Sequence, residues 1–304
     1  MHEQVISGNM IEQWFAAGVP LRVEMVDRFK VKNSRTYNIF QRVAGTGPWL
    51  TFLHGYPTCS WDWHNLVSPL KKHFRLLMFD FLGFGFSEKP HNHHYSILEQ
   101  ADITVAIWKT HNIKKTSLIA HNYGDTVALE LLSRQQEGLL KTQIDKVILL
   151  NGGVYVDYQH PLLIQRLLKM PAVGTVFSRF LNQRIFYNRF ASIFSRAHPI
   201  SEVEIEQYWH AIKHQNGHKI NHRLIRYLNE RKKYQHRWED VLENTPVPTH
   251  FIWGLEDPVS GRDILNQIIQ RMPHADALTL PDVGHYPQLE VPHVVANAIL
   301  KKLA

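Results

Sequence analysis

Apolar positions along the first third of the chain fall into short runs. Residues 22–54 alternate and cluster β-forming side chains, and they predict three strands, Arg22–Val31, Thr36–Val43 and Trp49–His54. Leu76–Phe79 is a fourth short apolar run. The period then switches back and forth. A helical stretch at Ile97–Asn112 precedes a strand at Thr116–Ala120, and a second at Thr126–Gln136 precedes Lys146–Leu150. The alternation returns late, with a strand at Thr249–Trp253, a helix at Asp263–Met272, a strand at Ala277–Leu280 and a helix at His293–Leu303. Parallel strands need crossovers, and helices supply them, so the pattern predicts an α/β protein with a mostly parallel central sheet flanked by helices.

Residues 153–245 have another character. They contain no convincing buried strand and several helical patterns: Leu163, Leu167 and Met170 share one face, and Phe177, Phe180 and Leu181 share another. This stretch reads as a helical cap inserted into a core domain made of residues 1–152 and 246–304, with Thr245-Pro246-Val247-Pro248 as the re-entry. It carries 14 lysines and arginines against 8 acids, so +6 of the net +7 lies there.

Composition narrows the class. At 304 residues, 44% hydrophobic and 20% charged, the chain has the make-up of a globular protein with a real core. No apolar stretch is long enough to span a bilayer, and no basic-then-apolar leader predicts a signal peptide. The single cysteine, Cys59, cannot close an internal disulfide, which suits a reducing compartment; the expected location is cytoplasmic. The apolar and basic stretch Pro161–Phe190 allows peripheral contact with an anionic membrane surface, although a cap also needs an apolar underside. Nothing points to nucleic acid, and nothing indicates an oligomeric state. Neither a metal nor an organic cofactor is expected: His91, His93 and His94 lack accompanying ligands and read as a solvated loop. Asp80-Phe81-Leu82-Gly83-Phe84-Gly85 lacks the third glycine and the helix of a dinucleotide fingerprint. Cys59 reads as a packing residue, and Arg231-Lys232-Lys233 as a solvated helix face.

The chemistry gathers at strand ends. Ala120-His121-Asn122-Tyr123-Gly124 joins a strand to a helix and has the small–any–nucleophile–any–small pattern of a nucleophile elbow, which needs small neighbours around a strained central residue. The central residue is Asn122. A carboxamide is a poor nucleophile, because its oxygen bears no full charge and its nitrogen lone pair is delocalised. Three explanations stand side by side: a deliberate replacement of Asp, a native Asn in an inactive or repurposed protein, and an Asn that deamidates to Asp and activates the protein. Asp257, after the strand ending at Gly254, is the candidate acid, with Glu256 as runner-up. His285, after the next strand, is the candidate base. The position after Leu150 reads Asn151-Gly152-Gly153 and offers no carboxylate. Leu53-His54-Gly55-Tyr56-Pro57 closes the third strand, so the backbone N–H groups of Tyr56 and Tyr123 are the candidate oxyanion donors.

Together, the elbow, the His54-Gly55-Tyr56-Pro57 turn and Asp80–Ser87 resemble the haloalkane dehalogenase and epoxide hydrolase branch of the α/β-hydrolase superfamily. Asp80–Pro90, His94–Ile97, Leu150–Gly153, Asn229–Lys233 and His285–Glu290 more specifically resemble mesoderm-specific transcript protein and its bacterial relatives. The resemblance implies an α/β-hydrolase fold with a cap, a small or medium apolar substrate (halide, epoxide or ester), and Asp at the elbow centre, where this chain has Asn122. Dehalogenases of this kind hold halide with Asn and Trp at the positions of Tyr56 and Tyr123, which weakens dehalogenation as the expectation. Epoxide hydrolases polarise the ring oxygen with cap tyrosines, for which Tyr155, Tyr158, Tyr187, Tyr208, Tyr227 and Tyr234 are available. Of these, Tyr155, with His54 in the turn, is expected to face substrate. Two rival readings accompany hydrolysis: a ligand-binding homologue without chemistry, and a membrane-surface lipid hydrolase or acyltransferase.

Overall fold

In the computed structural model, which describes residues 10–26, 34–163 and 182–303, the apolar runs become the strands of one eight-stranded sheet. The strands are β1 (Val19–Val26), β2 (Ser34–Ala44), β3 (Trp49–Leu53), β4 (Arg75–Phe79), β5 (Lys115–His121), β6 (Gln143–Leu150), β7 (Thr249–Gly254) and β8 (Asp276–Leu280). Their order is β1-β2-β4-β3-β5-β6-β7-β8. β2 runs antiparallel to both β1 and β4, and every other pairing is parallel. The expected second helix starts three residues early, at Tyr123, because the elbow itself caps it.

The described α-helices are α1 (Met10–Ala16), α2 (His64–Leu70), α3 (Ile97–Thr110), α4 (Tyr123–Gln136), α5 (Gln183–Ala191), α6 (Glu202–Lys213), α7 (Asn221–Leu224), α8 (Tyr227–Lys233), α9 (Gln235–Asn244), α10 (Arg262–Arg271), α11 (Pro287–Glu290) and α12 (Pro292–Leu303). Central strands are buried on both faces, as parallel sheets require. Two apolar clusters result. One joins Leu118, Ala120 and Leu149 to α3, α4 and to Tyr227 and Trp238. The other joins Phe52, Ile119 and Ile148 to α2, α12 and to Phe190 and Tyr208. The stretch between β6 and β7 thus contributes side chains to both clusters. Its last helix, α9, lies along α4, where Arg237 and Trp238 donate to Glu130 at 2.9 and 3.0 Å. α9 therefore serves as the crossover into β7. Leu163, expected on an apolar helix face, is largely exposed. Its expected companions Leu167 and Met170, and the face at Phe177, Phe180 and Leu181, lie outside the described residues.

Candidate active site

β5 occupies the middle of the sheet, and the chain turns sharply from it into α4. Asn122 sits on that turn at φ 53°, ψ −101°. Such a backbone is costly for a side chain with a Cβ, and Asn is among the residues that enter positive φ most readily. Gly124 follows because a Cβ there would run into the carbonyl of Leu53 on β3. The turn is held from two sides. The Asn122 N–H donates to the Leu150 carbonyl at 3.2 Å, and the Arg231 guanidinium donates to the Asn122 carbonyl at 2.7 Å.

Three further bonds tie the other loop tips to this point. The Tyr56 N–H, after β3, donates to Asn122 Oδ1 at 3.1 Å. His121, beside Asn122, donates from Nε2 to the His285 carbonyl at 2.8 Å. The His285 ring meets Asp257 Oδ2 through Nδ1 at 2.7 Å. The elbow, the acid and the histidine therefore converge at the carboxyl edge of the sheet. Tyr123 is the first residue of α4, where a backbone N–H has no helical acceptor.

Asp257 is well supplied with donors. Val259 N–H reaches Oδ1 at 2.7 Å, while the Ser260 hydroxyl and the Asn151 amide reach Oδ2 at 2.7 and 3.0 Å. Burial alone would raise this carboxyl, but the charge and hydrogen bond of His285, with those donors, outweigh it and hold the pKa below the ordinary value. Asp257 is thus an anion facing an imidazole, the arrangement that fixes a histidine tautomer and stabilises its cation. Glu256 is exposed on the same loop. His121 is buried, and its pKa is driven well below the ordinary value by burial first and by His285 second, so it stays neutral.

A single finding over most of the chain decides its kinship. The family model described as "alpha/beta hydrolase fold" matches residues 48–292. The chain belongs to the α/β-hydrolase-fold family. Among relatives of this α/β hydrolase, LipZ of Mycobacterium tuberculosis is 37% identical over 259 residues, covering 85% of this chain and 89% of LipZ. The mesoderm-specific transcript homolog protein of Homo sapiens is 37% identical over 265 residues, covering 85% of this chain and 79% of its own. Among solved structures, haloalkane dehalogenase DatA of Agrobacterium tumefaciens superposes with a TM-score of 0.75 at 20% identity, covering 94% of this chain and 98% of that one. That likeness concerns the fold.

Several expectations need correction. His54 of this hydrolase does not offer its ring to a substrate: Nδ1 donates to its neighbour's carbonyl, Gly55 O, at 2.8 Å, and Nε2 accepts the Phe81 N–H at 3.0 Å. Tyr155 is buried inside the protein, with the Arg271 guanidinium 4.5 Å above its ring and Glu243 facing its hydroxyl. The tyrosine that the insertion does bring to the site is Tyr227, whose ring centroid lies 4.9 Å from Tyr123 and 5.9 Å from Tyr56. Its hydroxyl is buried without a hydrogen-bond partner. The Tyr123 hydroxyl is turned toward Gln100 and Glu230, so it is spent inside the protein. Arg231, expected on a solvated face, is 1% exposed. It donates to Thr126 Oγ1 at 2.7 Å and Gln159 Oε1 at 3.1 Å as well as to Asn122, and lies 4.7 Å over the Tyr227 ring. Gly152 and Gly153 follow β6 because side chains there would collide with Asp125 and Arg231. His93 is buried, bonded to Glu99 at 2.7 Å, not part of a solvated loop. Among the described residues, no three His, Cys, Asp or Glu side chains are grouped to hold a metal ion. No described helix is long and apolar enough to cross a membrane.

Two functional positions escaped the sequence reading. Asn151, set aside for want of a carboxylate, accepts the Gly254 N–H at 2.8 Å and donates to Gly254 O and Asp257. It clamps the acid loop from the neighbouring strand. The signal for Arg231 was its spacing from Tyr227: four residues along a helix put both on one face.

Proposed function

We propose that this α/β hydrolase cleaves a small or medium apolar substrate through a carboxyl group at position 122, with His285 and Asp257 activating water and the N–H groups of Tyr56 and Tyr123 stabilising the oxyanion. The observation that carries this reading is the 3.1 Å bond from the Tyr56 N–H to Asn122 Oδ1, on a residue held at φ 53°. An Asp in that place would present its other oxygen to a substrate carbon, break that carbon's bond to its halide or oxygen leaving group, and form an ester. His285 would then take a proton from water as the water attacks Cγ, the Cγ oxygen would gain charge beside the Tyr56 N–H, and collapse would break the Cγ–O bond to the substrate, His285 returning its proton to the departing alcohol.

The same attack fits the amide. Water adding to Cγ of Asn122, with the amide nitrogen leaving as ammonia after taking a proton, turns Asn into Asp. In this reading, Asn122 is the precursor of the working carboxylate. Among leaving groups, the site favours oxygen over halide. The buried, unpartnered Tyr227 hydroxyl suits an epoxide or ester oxygen, while the Tyr123 hydroxyl is already engaged.

The test compares this chain with Asn122→Asp on panels of alkyl halides, epoxides and esters, while peptide mass analysis follows residue 122. The variant is expected to turn over an epoxide or ester from the first minute, and the Asn122 chain to gain activity only as its peptide becomes acidic. Equal activity in both without conversion of residue 122, or none in either, would overturn the reading; tight ligand binding without turnover in Asn122→Asp would favour a ligand-binding homologue instead.

A further inference from the structure

The peptide group between Gly55 and Tyr56 is bonded at both ends. Its N–H donates to Asn122 Oδ1. Its carbonyl, on the Gly55 side, accepts from His54 Nδ1 at 2.8 Å and from the Thr58 hydroxyl at 3.3 Å. His54 must carry its proton on Nδ1, because Nε2 accepts from Phe81. Burial brings that ring's pKa down to about 3, so it is neutral. Donors on a peptide carbonyl polarise the amide and strengthen its N–H as a donor. The groups behind the turn therefore act on the oxyanion site in front of it.

Thr58 has one proton and three neighbours. Gly55 O lies at 3.3 Å, Asp62 Oδ2 at 2.6 Å and the Tyr286 hydroxyl at 3.4 Å. A carbonyl can only accept. An ionised Asp62 could also only accept, and at the shorter distance it would take the Thr58 proton away from Gly55. The surroundings of Asp62 disfavour that ion. The residue is fully buried, and its Oδ1 has no hydrogen-bond partner. The groups facing it are Thr58, the Tyr208 hydroxyl from α6, the Gly55 amide, Asp80, Cys59 and Tyr286. None of them is a cation, and Asp80 is a second acid.

We propose that Asp62 is a positioning residue that works protonated: it donates to Thr58, and Thr58 then donates to the Gly55 carbonyl, setting the peptide whose N–H forms the oxyanion site. The oxyanion role of that N–H rests on the function proposed above; the proton arrangement behind it does not. Burial, reinforced by Asp80, lifts the Asp62 carboxyl from 3.8 to about 8 against the opposing pull of Thr58, Tyr208 and the Gly55 amide. Ionisation of Asp62 at alkaline pH would redirect the Thr58 proton and release the carbonyl.

Two readouts need no substrate. The first is the infrared carbonyl band of a protonated carboxyl, isolated as the difference between this chain and Asp62→Asn. The second is the amide resonance of Tyr56 through a pH titration. The band and the resonance are expected to change together with a midpoint near pH 8. Asp62→Asn, whose amide donates at every pH, should abolish both changes. Thr58→Val, which cuts the relay but keeps the shape, should leave the carboxyl titrating while the Tyr56 resonance no longer follows it. No protonated band at neutral pH, a Tyr56 resonance that ignores the Asp62 midpoint, or a Tyr56 resonance that still follows that midpoint in Asp62→Asn or in Thr58→Val would each overturn the proposal. In the Asn122→Asp background, kcat should fall above that midpoint, and Asp62→Asn should remove the fall. If the titrations behave as described and no substrate is turned over, the functional reading fails and the proton arrangement stands.

Discussion

The guanidinium of Arg231, carried by the insertion between β6 and β7, donates to the backbone carbonyl of Asn122 at 2.7 Å. A cation from one part of the chain thus holds the strained residue of another. Asp125, buried in the first turn of α4, is driven well above the ordinary carboxyl range by burial, which outweighs the opposing pull of Arg231. Replacing Arg231 by Met leaves three buried acceptors, Thr126 Oγ1, Gln159 Oε1 and the Asn122 carbonyl, without that donor. The expected loss is about 3–5 kcal/mol of stability, read by urea denaturation. Loss of under 1 kcal/mol would mean that the network contributes little.

Asn151→Asp sets a second carboxylate where an amide now donates to Asp257 at 3.0 Å. Like charges at that separation force a proton onto one of them. The natural Asp257 carboxyl is depressed, so its contribution is present above the ordinary carboxylate range and is lost only as pH falls through its lowered pKa. In the variant the sign reverses. The pair binds a proton in the folded state that the unfolded chain releases, so the variant should be weakest at neutral pH and recover on acidification. Denaturation at several pH values, comparing the two proteins, checks the slope.

Gly124→Ala drives a methyl group against the carbonyls of Leu53 and His54. Both belong to backbone that cannot swing aside as a flexible side chain would. A cost of about 1–3 kcal/mol is expected, with the Tyr56 amide resonance displaced because β3 leads into that turn. An alanine variant as stable as the parent would show that the elbow has slack.

Tyr227→Phe removes a buried hydroxyl that has no partner within the protein. Its stability should therefore change by no more than about 0.5 kcal/mol. In the Asn122→Asp background, turnover of epoxides or esters should fall on the order of 10²-fold, with halides little affected. Thermal melting and initial rates separate the two effects. A large stability loss with unchanged rates would reassign Tyr227 to packing.

Much of the fold was legible because the sheet writes itself into the sequence as short apolar runs separated by helices. The predicted strand at Thr249–Trp253 and the observed β7 differ by one residue, at Gly254. The elbow, the acid and the histidine were legible because each follows such a run. What stayed hidden depends on packing between distant segments. Arg231, Lys232 and Lys233 look alike in sequence, yet only the first is swallowed when α8 meets α4. His54 looked like a substrate contact because it borders the turn; its ring is instead consumed by the backbone on either side. Asn151 carried no charge to attract notice, and its role appears only once β6 and β7 lie side by side.

Leu150 on β6 and Ile252 on β7 are paired neighbours in one parallel ladder. A chain leaving the first strand must climb back across the sheet to begin the second, and among the described residues α9, packed along α4, leads back into β7. The residues before α9 are thus a detour on a journey that topology already demands. Their length can drift over generations without moving the register of any strand, provided the ties to the chemistry beneath are kept: Arg231 on the Asn122 carbonyl, and the Ile193 carbonyl accepting the His285 N–H at 2.9 Å.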